Sequence, residues 1–170
     1  ADAFIKDGHH VVGCDSLIGG ELSNVPAEAE FYQYDCCYRN SMLKITKGCD
    51  LVYHTAATAY EGLSVFSPHL ITNNIVTGSV SLFSAAIENK VKRIVFCSSM
   101  ARYGTNKVPF REDFTPKPQD PYGIAKVAAE DILKNLCEVH NVEYVIAVPH
   151  NIIGPRQKYD DPYRNVVSIM

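Results

Sequence analysis

The sequence holds six cysteines, at positions 14, 36, 37, 49, 97 and 137, but no Cys-x-x-Cys pair. Their spacing matches no zinc pattern, which argues against a structural metal centre. Cys36 and Cys37 are adjacent and poorly suited to bridging each other. Cys14 and Cys97 lie in apolar runs and read as small buried hydrophobes. The set reads as reduced thiols of a cytoplasmic protein. Basic blocks and acidic tails are also missing. Lys plus Arg is 16, Asp plus Glu is 19 and the net charge is −3, so no nucleic-acid partner is expected. The longest uncharged stretch, Gly62 to Ile87, is interrupted by Ser67, Pro68, His69, Asn73, Asn74, Ser79 and Ser81. It is not read as a membrane span. No signal-peptide pattern opens the chain, because Ala1 to Gly8 has helical polarity. No G-x-G-x-x-G occurs; Gly13, Gly19 and Gly20 do not form one.

What is present is globular. The chain has 170 residues, 46% hydrophobic and 21% charged, enough for one ordinary domain. Short apolar runs at His10–Cys14, Phe31–Tyr34, Leu51–His54, Arg93–Cys97 and Tyr144–Val148 read as strands. They are nearly continuous in β-branched and aromatic residues, the pattern of a parallel sheet covered on both faces. Helical patterns lie between them at Ser41 to Lys47, Pro68 to Asn89 and Pro121 to His140. Gly8 closes a first helix, and Pro121 suits the first turn of the last one. This alternation predicts an α/β fold, a doubly wound parallel (Rossmann-type) sheet with helices on both faces. The chain opens within a helical pattern, so the first strand and its glycine-rich turn are expected to be missing.

Three places could carry chemistry. Asp15 closes the His10 run. An acidic residue there accepts hydrogen bonds from the ribose 2′-hydroxyl of NAD and repels a 2′-phosphate. Taken alone, Asp15 reads more readily as a turn cap. Tyr122 and Lys126 stand four apart at the start of a helix, on one face. The ammonium, with a bound nicotinamide's charge, is expected to lower the phenol's pKa and fit it to take a substrate proton. Ser98 and Ser99 end the Arg93 run, where open α/β sheets place their sites. Tyr144 is read as core. His54 and His150 are read as structural, not as metal ligands.

Taken together, these residues resemble the extended short-chain dehydrogenases/reductases, in the nucleotide-sugar epimerase/dehydratase group. The likeness runs through Gly8-His9-His10-Val11-Val12-Gly13-Cys14-Asp15, Asp35-Cys36, His54-Thr55-Ala56-Ala57, Asn74 with Gly78, Cys97 to Gly104, Pro121 to Lys126, and Pro149-His150-Asn151 with Gly154-Pro155-Arg156. The resemblance implies catalysis by Ser99, Tyr122 and Lys126. It implies NAD held by Asp15, Asp35, Cys36, Thr55, Ala56, Ala57, Tyr122, Lys126 and Pro149, and substrate held by Asn74, Ser99, Tyr122 and Asn151. Residues 1–148 would be a partial NAD-binding domain and 149–170 the beginning of a substrate segment. Related dehydratases and decarboxylases carry acidic residues just after the serine. Met100-Ala101 stand there in this chain, which favours epimerisation at carbon 4 of a UDP-hexose through a 4-keto intermediate. Arg102 departs from the small or β-branched residue common in the family and leaves the sugar open. The alternatives are a reductase or dehydratase of the same fold, or a non-catalytic protein that binds NAD or sugar nucleotide. The resemblance also implies a cytoplasmic homodimer paired through the two long helices. The 170-residue chain alone is expected to be inactive, lacking glycines at a helix N-terminus to seat a pyrophosphate.

Overall fold

The computed structural model describes residues 1–157. Expectations for residues 158–170 lie outside the described residues. Five strands form, all in parallel pairs. β1 (Val12–Cys14) pairs with β2 (Glu30–Tyr32), and β3 (Leu51–His54), β4 (Arg93–Cys97) and β5 (Glu143–Ala147) make a second sheet in the order β3-β4-β5. The register aligns Val52 with Ile94 and Ile94 with Tyr144. β1 and β3 do not pair, and residues of both line one cleft, together with Met42 and Leu82. The single sheet read from the sequence is therefore two sheets among the described residues. Their parallel pairing, with helices between the strands, is that of a Rossmann-type fold.

The helices are α1 (Asp2–Lys6), α2 (Arg39–Ile45), α3 (Glu61–Ser64), α4 (Pro68–Thr72), α5 (Gly78–Glu88) and α6 (Pro121–His140). A π-helical stretch, Asn73–Thr77, joins α4 to α5. α6 has the bounds its pattern predicts. Asp120 caps it by accepting the Gly123 N–H at 2.9 Å, and Pro121 fills its first turn. At its far end Asn141 takes the left-handed conformation that stops a helix.

The core lies on one face of the three-stranded sheet. Ile94 and Phe96 of β4 pack there with Met42 of α2, Phe83 and Ala86 of α5, and Ala129 and Leu133 of α6. Every second side chain of β3 points away from this layer, leaving Leu51 and Tyr53 exposed. Coverage on both faces, expected from the unbroken apolar runs, is thus one-sided among the described residues. The other face meets α1, whose Phe4 ring lies 4.8 Å from that of Tyr53. A helix of 5 residues is too short to roof three strands.

The span Pro68–Glu88 is long and apolar enough by length and composition to cross a membrane, so its polar interruptions do not by themselves exclude that. In this fold half of it is buried. Ser81 donates to the Cys37 carbonyl at 3.1 Å, and Ser79 meets His54 at 2.9 Å. Both serines thus have partners inside the protein, as a core helix requires.

Gly104 closes the turn after β4 at φ 42°, and a Cβ there would stand 1.9 Å from the Lys117 carbonyl oxygen. No side chain fits without moving backbone. Gly104→Ala should lower unfolding free energy by roughly 2–3 kcal/mol in urea titrations. Gly62→Ala, at a position with open space, should stay within about 0.5 kcal/mol or gain.

Candidate active site at the carboxyl ends of the strands

β4 ends at Cys97 and runs through Ser98 and Ser99 into a tight 3₁₀ turn, Met100–Tyr103. Ser99 begins that turn, its hydroxyl accepting the Ala101 N–H at 3.2 Å. The first turn of α6 lies directly against it. A Cβ on Gly123 would sit 3.0 Å from the Ala101 carbonyl oxygen, so glycine permits the close approach. The contact brings Tyr122 to Ser99, whose hydroxyl lies near enough to the phenol to favour its ionised form. One turn further on, Lys126 is 2% exposed and donates from Nζ to the Cys97 carbonyl at 2.8 Å. The ammonium also lies 5.0 Å from the Phe96 ring centre and 5.9 Å from that of Tyr122. Three sequence-predicted catalytic groups thus meet at one point.

The electrostatics correct one expectation. Burial holds the Tyr122 phenol above its ordinary pKa, and the Ser99 hydrogen bond pulls only partly the other way. The neighbouring Lys126 ammonium, held on the Cys97 carbonyl, does not overcome that burial. Burial instead pulls Lys126 itself down to about 8, with Cys97 and Glu130 opposing. The desolvation of each group outweighs the charge beside it.

A cleft of about 330 Å³ lies beside β1 and β3. It is lined by Asp15, Asp35, Cys36, Thr55, Ala56, Ala57 and Asn74, which are seven of the predicted binding residues. Asp15 Oδ1 accepts the Leu17 N–H at 2.7 Å and Asp35 Oδ1 accepts the Cys37 N–H at 2.8 Å, so each carboxylate also shapes its turn. A Cβ on Gly20 would lie 3.2 Å from Asp15 Oδ2, so the bare glycine keeps that oxygen clear. Asn74 lies in the π-helical stretch and donates to Thr58 Oγ1 at 2.8 Å. Such stretches often mark functional positions. Cys14 and Cys97 are half-buried, not buried. The residues fit a dinucleotide's adenosine half: a carboxylate at a strand end for ribose hydroxyls, and a strip of small residues along β3.

Other predicted residues stand apart. Ser99, Tyr122 and Lys126 do not line this cleft. Pro149 backs the serine turn, its carbonyl accepting the Met100 N–H at 3.3 Å. Asn151 is exposed and does not line the cleft. Tyr144 lies in β5 against the core, as read. His54 is buried and satisfied by Ser79, and burial drives its pKa down to about 3, so it stays neutral. The motif reading missed Glu130, which is 1% exposed one turn beyond Lys126. A carboxylate on an otherwise apolar stripe was the available signal.

A parallel α/β core with a tyrosine and a lysine on one helix, facing a strand-end serine, defines a short-chain dehydrogenase/reductase type of site. The chain belongs to the NAD dependent epimerase/dehydratase family, whose model matches residues 1–170. It is 32% identical to a UDP-glucose 4-epimerase of Streptomyces lividans, over 91% of this chain and 48% of that protein. The crystal structure of the UDP-glucose 4-epimerase of Thermotoga maritima with UDP-glucose superposes with a TM-score of 0.94 at 32% identity, over 99% of this chain and 56% of that one. The UDP-glucose 4-epimerase of Thermus thermophilus in complex with NAD gives a TM-score of 0.90 at 27% identity, over 99% and 55%. The chain spans about half the length of the relatives it matches.

The Lys126 pKa has a consequence for stability. Below about pH 8 the folded and unfolded chains both hold the proton; above it the folded chain releases it while the unfolded chain keeps it to about 10.5. The unfolded state then binds more protons, so stability from this group rises across that window, by up to roughly 3 kcal/mol. The unfolding free energy of the native protein minus that of Lys126→Met should climb between these limits. A difference independent of pH would refute the assignment.

Proposed function

We propose that the protein carrying this chain is an NAD-dependent nucleotide-sugar epimerase acting at carbon 4 of a UDP-hexose. The observation that carries this reading is the meeting of Ser99, Tyr122 and Lys126 beside the cleft. Asp15, Asp35, Cys36 and the strip Thr55–Ala57 hold the adenosine half of NAD, while Lys126 and Pro149 lie toward its nicotinamide half. When bound, NAD supplies a hydride acceptor that returns the hydride to the opposite face of the sugar.

The chain's own residues manage the proton. Tyr122 takes the proton of the sugar 4-hydroxyl and later gives it back. Ser99 hydrogen-bonds the same oxygen and keeps it within reach of the phenol. Lys126 adds positive charge behind the tyrosine. Asn74 and Asn151 contact the sugar nucleotide. Burial of Tyr122 keeps water from competing for the proton. Supporting the epimerase over a dehydratase, Met100 and Ala101 offer no second acid, and the Arg102 guanidinium is taken by Glu130 at 3.0 Å. The same reading makes the protein a cytoplasmic homodimer. Exposed Leu70 on α4 and Ile124 and Val139 on α6 support pairing through those helices, and the six free cysteines suit a reducing compartment.

The full-length protein should interconvert UDP-glucose and UDP-galactose without added reductant and without net NADH. Net NADH production or loss of water from the sugar would favour the reductase or dehydratase. Tyr122→Phe should lower kcat by about 10²–10⁴-fold with bound NAD unchanged. Equal loss of turnover and cofactor would assign the tyrosine a structural role only.

A further inference from the structure

Tyr122, Lys126 and Glu130 stand four residues apart on α6 and are 8%, 2% and 1% exposed. They form one buried stripe along the helix. The chain leaving β4 runs past this stripe, and each of residues 97–99 lies against a different member. The Cys97 carbonyl accepts from Lys126 at 2.8 Å, the Ser98 hydroxyl donates to Glu130 Oε1, and the Ser99 hydroxyl meets Tyr122. A buried carboxylate without partners would be driven to its neutral form. Glu130 has partners on both oxygens: Oε2 pairs with Arg102 at 3.0 Å and lies 3.8 Å from Lys134. Arg102 belongs to the turn that follows Ser99, so the carboxylate grips that turn on both sides of the serine. The arginine stacks 5.2 Å over the Tyr103 ring, and its buried Nε makes no hydrogen bond. Buried ion pairs seldom add much stability over apolar packing, which turns attention to geometry as their use.

We infer that Glu130 is the positioning residue of this site, holding Ser98 and Arg102 so that Ser99 stays against Tyr122 and the β4 terminus stays on Lys126. The inference rests on the proposed epimerase reading for its kinetic consequences. It extends that reading to a residue that touches neither sugar nor cofactor. Glu130 also supplies a negative charge to Lys126. The groups facing Lys126 are Cys97 of β4, neutral His54 of β3, and Tyr122 and Glu130 of its own helix.

The test uses the full-length holoenzyme and the variants Ser98→Ala, Glu130→Gln and Ser98→Ala/Glu130→Gln. Glu130→Gln should lower kcat by roughly 10–100-fold through misplacement of reacting groups. KM for the UDP-sugar and bound NAD should stay within about twofold if ground-state binding is untouched. The alkaline limb of the kcat profile should move to lower pH, because the anion that favours the Lys126 ammonium is gone. Ser98→Ala leaves the Glu130–Arg102 pair in place and so tests the idea if Glu130→Gln does not fold. It should also lower kcat, and the double variant should be no worse than Glu130→Gln, since both remove one contact. Native kcat and pH profile in either single variant overturn the inference, as does a kcat loss matched by cofactor loss. A native protein that turns over no UDP-sugar sinks the epimerase reading instead. In that case the Lys126 titration, followed by NMR of ε-¹³C-lysine, still decides. Its midpoint must fall in Glu130→Gln, and an unchanged midpoint overturns the inference.

Discussion

The structure depends on a buried ammonium bonded to the last carbonyl of a central strand. Lys126 reaches from the second turn of α6 to the carboxyl end of β4 and closes a 2.8 Å hydrogen bond there. An unpaired amine in that position would be costly, and so would an unpaired carbonyl. Each group satisfies the other, and the bond fixes helix and strand at one height. Once α6 is held there, Tyr122 can only meet the residue two beyond Cys97, which is Ser99. Gly123 leaves the backbone room that this contact needs. The chemistry of the site is therefore a product of packing, set by where one long helix docks on one strand.

The same docking separates the molecule's two groups of candidate site residues. Residues of β1 and β3 line a cleft whose walls carry carboxylates and small residues suited to a nucleotide. The phenol, the hydroxyl and the ammonium lie beyond that cleft, at the end of β4. Because β3 and β4 pair in register with parallel direction, the strip Thr55–Ala57 and the Ser98–Ser99 turn emerge on the same edge of the sheet. A ligand lying along that edge would pass from one group to the other, which is the general rule for sites in open parallel sheets.

Much of this was legible in the sequence. α6 carries its start and stop signals in Asp120, Pro121 and Asn141, and β3 and β4 carry dense apolar runs, so their bounds read correctly. Other features depend on tertiary context. Apolar runs in β3 and β5 suggested cover on both faces, but composition does not report which elements lie opposite. The π-helical stretch at Asn73–Thr77 inserts its extra residue within a continuous helical pattern, and no spacing rule marks it. Tyr122 and Lys126 were legible as neighbours. The sign of the tyrosine's shift was not, because desolvation depends on the surrounding volume and not on spacing. Glu130 was passed over because a carboxylate at a core position reads as an error until its partners, 28 and 32 residues away, are placed around it.

Burial pushes both members of the Tyr122–Lys126 pair toward their uncharged forms, raising the phenol and lowering the amine. Around neutral pH the phenol holds its proton firmly, whereas the amine lies close to its titration point. On the proposed epimerase reading, the site must not make either removing or restoring a proton steeply uphill. A raised phenol favours giving the proton back. Taking it away is helped by positive charge nearby, and Cys97 and the Glu130 carboxylate oppose the loss of that charge from Lys126. The buried acid two turns along the helix thus sustains the positive charge beside the phenol without touching it. That explains how an apolar pocket, which by itself would extinguish both charges, can retain the one that proton removal needs.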